Sequence, residues 1–158
     1  MSIAISIAAL AVSLSAFLST RWRDRRDLML RVHERLVTRD QQRGRRLVFE
    51  MSEKKTQVED LGADDYELIN NSLAALDVLG IYYKRRYIRR KDALEIWAAQ
   101  VLRVVRAAQP FLKHRDALSR GSTWPHLLAF AEDAQSYIER PDPMFQRYRG
   151  ANIAKPSA

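Results

Sequence analysis

The chain reads as an all-α protein: an N-terminal transmembrane helix continuing into a cytoplasmic bundle of about four to five helices. Three observations lead there. Residues 2–20, SIAISIAALAVSLSAFLST, carry no charge and are followed at once by Arg21, Arg23, Arg25 and Arg26. Apolar residues beyond that point recur at intervals of three and four, the period of one helix face. No stretch alternates apolar and polar residues as a half-buried strand would.

The uncharged run comes first. A helix rises about 1.5 Å per residue, so residues 2–22 cover roughly 30 Å, the thickness of one hydrocarbon core. Ile3, Ile5, Ile7, Leu10, Val12, Leu14, Phe17 and Leu18 carry its hydrophobicity, against five serines. A cleaved signal peptide has its cations before the apolar run, whereas here they follow it. The excess of arginine on the C-terminal side places that side in the cytoplasm, the arrangement of a single-pass membrane protein. Trp22 falls where an interfacial aromatic belongs, and Arg21, Arg23, Arg25 and Arg26 form a collar facing anionic lipid phosphates. The competing readings are a buried core helix and a weak signal sequence. Ala4, Ala8, Ala11 and Ser15 form a stripe of small residues along which two such helices could pack, so a homo-oligomer through the anchor is one expectation.

The expected organisation is an anchor over 1–22, a helical bundle over 23–140 and a flexible tail over 141–158. With no Gly or Pro from Ser2 to Arg43, the first helix can run on past the anchor, presenting Leu28, Met29, Val32 and Leu36. Thr38-Arg39-Asp40-Gln41 has the form of a capping box and starts a second helix with Leu47, Val48 and Met51, Gly44 being its weak point. Acidic residues open the third at Asp64-Asp65, where they suit the positive end of the helix dipole. Its stripe is Tyr66, Ile69, Leu73, Leu76, Gly80, Tyr83 and Tyr87. Asp92 caps a fourth helix with Leu94, Trp97, Val101, Val104, Ala108 and Phe111, which Pro110 kinks or ends. A last helix follows Gly121-Ser122-Thr123 and carries Trp124, Leu127, Ala131, Ala134 and Ile138.

Charge is distributed in blocks. The chain has 27 Lys and Arg against 19 Asp and Glu, a net charge of +8. The Arg collar accounts for part of this excess through topology alone. Residues 50–67 are acidic, and residues 84–91 place six cations in eight positions around two further residues, one of them aromatic. In an up-and-down bundle the second helix would return to the membrane, setting the acidic loop near the collar and the basic turn about 30 Å away, one 20-residue helix length. Lys84, Arg85, Arg86, Tyr87, Arg89, Arg90 and Lys91 are therefore candidate contacts for an acidic protein partner, or for nucleic acid. No helix-turn-helix, zinc or RNA-binding signature supports the nucleic-acid reading specifically. Asp77, inside the apolar stretch of the third helix, requires a partner, for which Arg45, Arg46, Arg103 and Arg106 are candidates.

Nothing in the sequence points to catalysis. There is no cysteine, and the three histidines (His33, His114 and His126) fall on separate segments with no metal-binding spacing. No phosphate-binding glycine loop or nucleophile motif occurs. No enzyme activity, catalytic residue, metal or cofactor is expected.

The succession LMLRVHERLVTRDQQRGRRLVFE, DYELINNSLAALDVLGIYYKRRYI and KDALEIWAAQVLRVVRAAQPFLKHR resembles a family of small, uncharacterised bacterial proteins. These have one N-terminal membrane span and a helical domain of unknown function. The resemblance covers residues 28–115 and rests on a pattern of apolar and arginine positions. It implies a bacterial source and a membrane-anchored all-α domain. It implies no activity and carries over no site residue. The function expected is that of a membrane-anchored interaction or adaptor protein; the alternative is a membrane-tethered nucleic-acid binder using residues 84–91.

Overall fold

The computed structural model describes residues 2–119 and 121–139, without the side chains of residues 2–6, 8, 11 and 18. The expected tail, 141–158, lies outside the described residues. The elements are α1 (Ser2–Leu36), α2 (Arg39–Lys54), a 3₁₀ turn (Val58–Asp60), α3 (Ala63–Lys84), α4 (Arg90–Ala107), α5 (Gln109–Ser119) and α6 (Pro125–Glu139). There is no strand among the described residues, and the fold class is all-α.

The core is built around α3. Ile69, Leu73, Leu76 and Leu79 are fully buried along it, with Ser72 and Tyr83 beside them. The burial of Ser72 and Leu79 beside the expected stripe follows from packing on more than one side: α2 and α6 both lie along α3, and the second half of α1 touches it. Two glycines allow this. A Cβ on Gly44 would fall on the Leu68 carbonyl and the Ser72 Cβ, and one on Gly80 would fall on the backbone of His126. Gly44 is thus a close-approach point between α2 and α3 rather than a defect in α2, and Gly80 serves α3 and α6 in the same way.

Asp77 finds a different partner from the arginines expected. Its Oδ1 accepts the backbone N–H groups of His126 at 2.9 Å and Leu127 at 2.8 Å. A side chain of α3 thus satisfies free donors in the first turn of α6. Pro125, at the first position of α6, has no N–H to satisfy. Three of the four arginines are engaged elsewhere: Arg45 lies 5.8 Å over the Trp97 ring, Arg103 lies 5.4 Å over Phe49, and Arg106 donates to Gln135, while Arg46 is exposed. Arg45 is only 5% exposed, with Nη1 lacking a hydrogen-bond partner, and burial lowers its pKa from the usual arginine value.

The helix starts are near those expected, but the caps differ. Thr38 is the N-cap of α2, yet its hydroxyl donates back to the Arg35 carbonyl at 3.2 Å, and the capping box does not form. The α4 helix begins at Arg90, ahead of Asp92. Pro110 falls at the start of α5, where α4 has already ended at Ala107. Ile138 and Tyr87, expected on apolar stripes, are exposed.

The up-and-down topology is the main expectation that fails. Val37 N–H bonds the His33 carbonyl and Gln42 N–H bonds the Thr38 carbonyl, so the helical ladder is interrupted for only two residues. The chain turns there without doubling back. Side-chain pairs give the direction: Arg45 meets Trp97 while Phe49 meets Arg103, so α2 and α4 run in the same sense. Trp22 meets Arg89 while His33 meets Trp97, so α1 and α4 do as well. The return path is α3, which shares with α1 a crevice lined by Leu28, Arg31, Val32, Arg35 and Leu36 on one side and Ala75, Val78 and Tyr82 on the other.

The shared cap and the close crossing each give an expected outcome in urea unfolding followed by helical circular dichroism. Asp77→Ala lowers stability by about 1–2 kcal/mol, and Asp77→Asn by less because it keeps an acceptor. Gly80→Ala lowers it by about 1–3 kcal/mol through overpacking against backbone that cannot move aside. An unchanged midpoint in either alanine variant would contradict this description of the α3–α6 contact.

Candidate functional site

The return path of α3 brings the basic turn to the Arg collar. The end of α3 is a Schellman-type stop: Arg86 N–H bonds the Tyr83 carbonyl at 3.1 Å and Tyr87 N–H bonds the Tyr82 carbonyl at 3.0 Å. The rings of Tyr82 and Tyr87, 6.0 Å apart, supply the apolar contact that accompanies such a stop. This geometry requires a left-handed residue, a position usually held by Gly, and here Arg86 occupies it at φ 58°. Immediately afterwards the fully buried Ile88 pins the turn to the core.

Asp133 of α6 fastens both sides of the turn. It accepts from the Tyr83 hydroxyl at 2.8 Å and from Arg90 Nη2 at 3.0 Å, and the Arg90 guanidinium lies 4.4 Å over the Tyr83 ring. Burial, together with the adjacent Asp133 carboxylate, pushes the Tyr83 phenol up to about 12. Its pKa is raised from an unfolded value near 10, so this bond's contribution to stability is complete below about pH 10 and disappears as the pH rises through about 12.

The sequence-expected residues of the turn therefore divide. Arg90 belongs to the Asp133 network. Lys91 lies 3.8 Å from Glu95 and Arg89 lies 3.8 Å from Asp92, both acids belonging to the first two turns of α4. Lys84, Arg85, Arg86 and Tyr87 are exposed. The Arg89 guanidinium stacks 5.3 Å from the centre of the Trp22 ring, joining the turn to the collar. The expected separation of about 30 Å between turn and collar is thus corrected. The acidic loop does not supply the collar's counterpart: its Glu59 pairs with His114 at 3.0 Å, and Asp65 lies 3.8 Å from Arg43. The backbone amide and His114 both hold the Glu59 carboxyl below its ordinary pKa.

Two crevices lie where turn and collar meet. One, about 220 Å³, is lined by Trp22, Arg23, Arg25, Arg26, Arg89 and Asp92. The other, about 530 Å³, is lined by Arg21, Asp24, Arg25 and Leu28 of α1 and by Arg85, Arg86 and Tyr87 of the turn. Arg25 lines both. Each is lined by four arginines and one aspartate, and Arg26 of the smaller one also lies 3.9 Å from Asp27.

Beyond the collar, Ile7, Leu10, Val12, Leu14 and Phe17 are between 57 and 71% exposed. The transmembrane span expected over residues 1–22 is not supported by the structure: among the described residues, no helix is long and apolar enough to cross a membrane. Ser15 of the small-residue stripe is exposed, while the side chains of Ala4, Ala8 and Ala11 lie outside the described residues. His33, His114 and His126 are not brought together, and no group of three metal-binding side chains occurs among the described residues. No family model, curated protein or solved structure matches the chain.

The meeting of Arg25 and Trp22 with Arg89 was not readable from sequence spacing, since about sixty residues separate collar and turn. Arg86 was recognisable as a cation but not as a left-handed residue. Replacing it with Gly gives a specific outcome: Arg86→Gly raises stability by about 1 kcal/mol, measured as a higher urea midpoint, because the left-handed conformation then carries no Cβ penalty. A lower midpoint would show that the Arg86 side chain contributes to the fold.

Proposed function

We propose that this chain is a membrane-anchored helical interaction protein of the bacterial inner membrane, with residues 2–22 as the anchor and the bundle on the cytoplasmic side. The observation that carries this reading is the juxtaposition at one end of the bundle. An uncharged stretch of α1 with exposed apolar side chains ends in a ring of arginines drawn from two distant segments. Apolar surface beside concentrated positive charge is the pattern of a bilayer interface, where lipid tails meet phosphate headgroups. The order of the charges, with the arginines after the run, favours the cytoplasmic side for the bundle.

An interaction role fits the surfaces better than a catalytic one. The crevices are open and arginine-rich, and arginine holds anionic oxygens through paired N–H donors without itself exchanging protons. A partner bearing phosphate or carboxylate groups suits them. The nucleic-acid reading draws on the same residues, Lys84, Arg85, Arg86, Tyr87 and Arg89. Their place beside the collar favours the membrane instead, since a duplex at the turn would meet the bilayer from which α1 emerges.

Membrane fractionation tests this reading. The full chain, expressed in a bacterium, is expected in the membrane pellet after alkaline carbonate washing, and the chain lacking residues 2–20 in the supernatant. Release of the full chain by carbonate would overturn the anchor. Nucleic-acid affinity of the full chain in zwitterionic nanodiscs that fell steeply with salt would move the proposal to the alternative.

A further inference from the structure

We infer that the two crevices on either side of Arg25 are seats for phosphate groups, and that their ligand is the headgroup of an anionic phospholipid. This deepens the membrane-anchored reading by giving the collar and the α3–α4 turn one shared ligand. Free polyanionic phosphate has the same chemistry, and the test below separates the two sources.

The first support is electrostatic. Four arginines converge in each crevice with a single aspartate, and in the smaller one Asp92 already lies 3.8 Å from Arg89. Like charges gathered from α1 and from a turn about sixty residues later repel one another. An anion placed between them reverses that repulsion. Each guanidinium offers N–H donors in a planar fork that matches phosphate oxygens.

The second support is independent of charge. Arg86 occupies the left-handed position of the helix stop, where Gly would be less strained, and its side chain is exposed. The backbone strain has no compensation in an ion pair among the described residues, but it does place a guanidinium at the larger crevice. The third is position. Trp22, 65% exposed and stacked with Arg89, stands at the end of the uncharged run, the level at which headgroup phosphates lie if residues 2–22 span the bilayer. Bound there, lipid phosphates would hold the bundle against the membrane in one orientation, through two segments instead of a single tether.

The test uses the full chain in nanodiscs of phosphatidylcholine alone or with diphosphatidylglycerol, and in a separate arm titrates pyrophosphate into the phosphatidylcholine discs. Trp22 is exposed while Trp97 and Trp124 are buried, so lipid contact is read by quenching of Trp22 with a headgroup-brominated or spin-labelled anionic lipid. The expected result is selective enrichment of the anionic lipid around the chain, weakened about fivefold by Arg86→Gly and again by Arg89→Gln. Arg86→Gly is the decisive variant because it relieves the turn while removing the guanidinium, so a loss of binding cannot be ascribed to unfolding. Saturable binding of pyrophosphate, weakened by the same variants, with no anionic-lipid selectivity would keep the seats but overturn the lipid as ligand. Undiminished lipid selectivity in both variants, or no binding in either arm, would overturn the inference. If carbonate released the chain yet pyrophosphate bound in this variant-sensitive way, the membrane reading would fail while the seats stood.

Discussion

One carboxylate sets the geometry on which the candidate site depends. Asp133 accepts from Tyr83 at the end of α3 and from Arg90 at the start of α4, so the intervening turn is held at both sides by α6. The α6 helix is in turn capped by Asp77 of α3 and seated against Gly80. The turn is therefore tied back to the core through a closed circuit of contacts, with Ile88 buried beneath it. A flexible loop of six cations would repel itself and the collar and drift away from both. This one is fixed with Arg89 against Trp22.

The contrast between the two ends of α3 shows how the charge is used. Its acidic beginning is neutralised within the domain, Asp65 near Arg43 and Glu59 of the preceding 3₁₀ turn against His114. Its basic end meets further arginine. Exposed ion pairs of the first kind contribute little to stability. At the basic end Arg89, Arg90 and Lys91 have carboxylates of α4 and α6 nearby, but Lys84, Arg85 and Arg86 are exposed beside the collar. Such an excess of like charge opposes folding unless something outside the domain offsets it. This asymmetry directs attention to the collar end of the bundle and away from the acidic loop.

Much of the fold was legible in the sequence because it rests on local rules. Spacing by three and four marked the helices, and Gly121-Ser122-Thr123 marked the restart before α6. The residues expected to face the core, such as Ile69, Leu73, Leu76, Trp97, Val101 and Leu127, are buried. Helix direction was not legible. A connection of two residues is compatible with a hairpin or with a bend, and what decides is the packing of Arg45 on Trp97 and of Gly44 on α3, which no local pattern encodes. The same limit applies to the site. Its residues were recognised in two separate groups, collar and turn, and only the path of α3 unites them. Asp77 shows the reverse case: the need for a partner was readable from its apolar neighbours, but backbone donors met it, and these have no signature in sequence.

The central claim is that collar and turn occupy one place, and the absence of cysteine allows it to be measured without background labelling. Spin labels on cysteines introduced at Arg23 and Asp92, which line the same crevice, report their separation by pulsed dipolar spectroscopy in the full chain. The structure predicts a distance well short of the ~30 Å that a 20-residue helix spans. A distribution centred at or beyond ~30 Å would place the basic turn at the far end of the bundle and contradict the account.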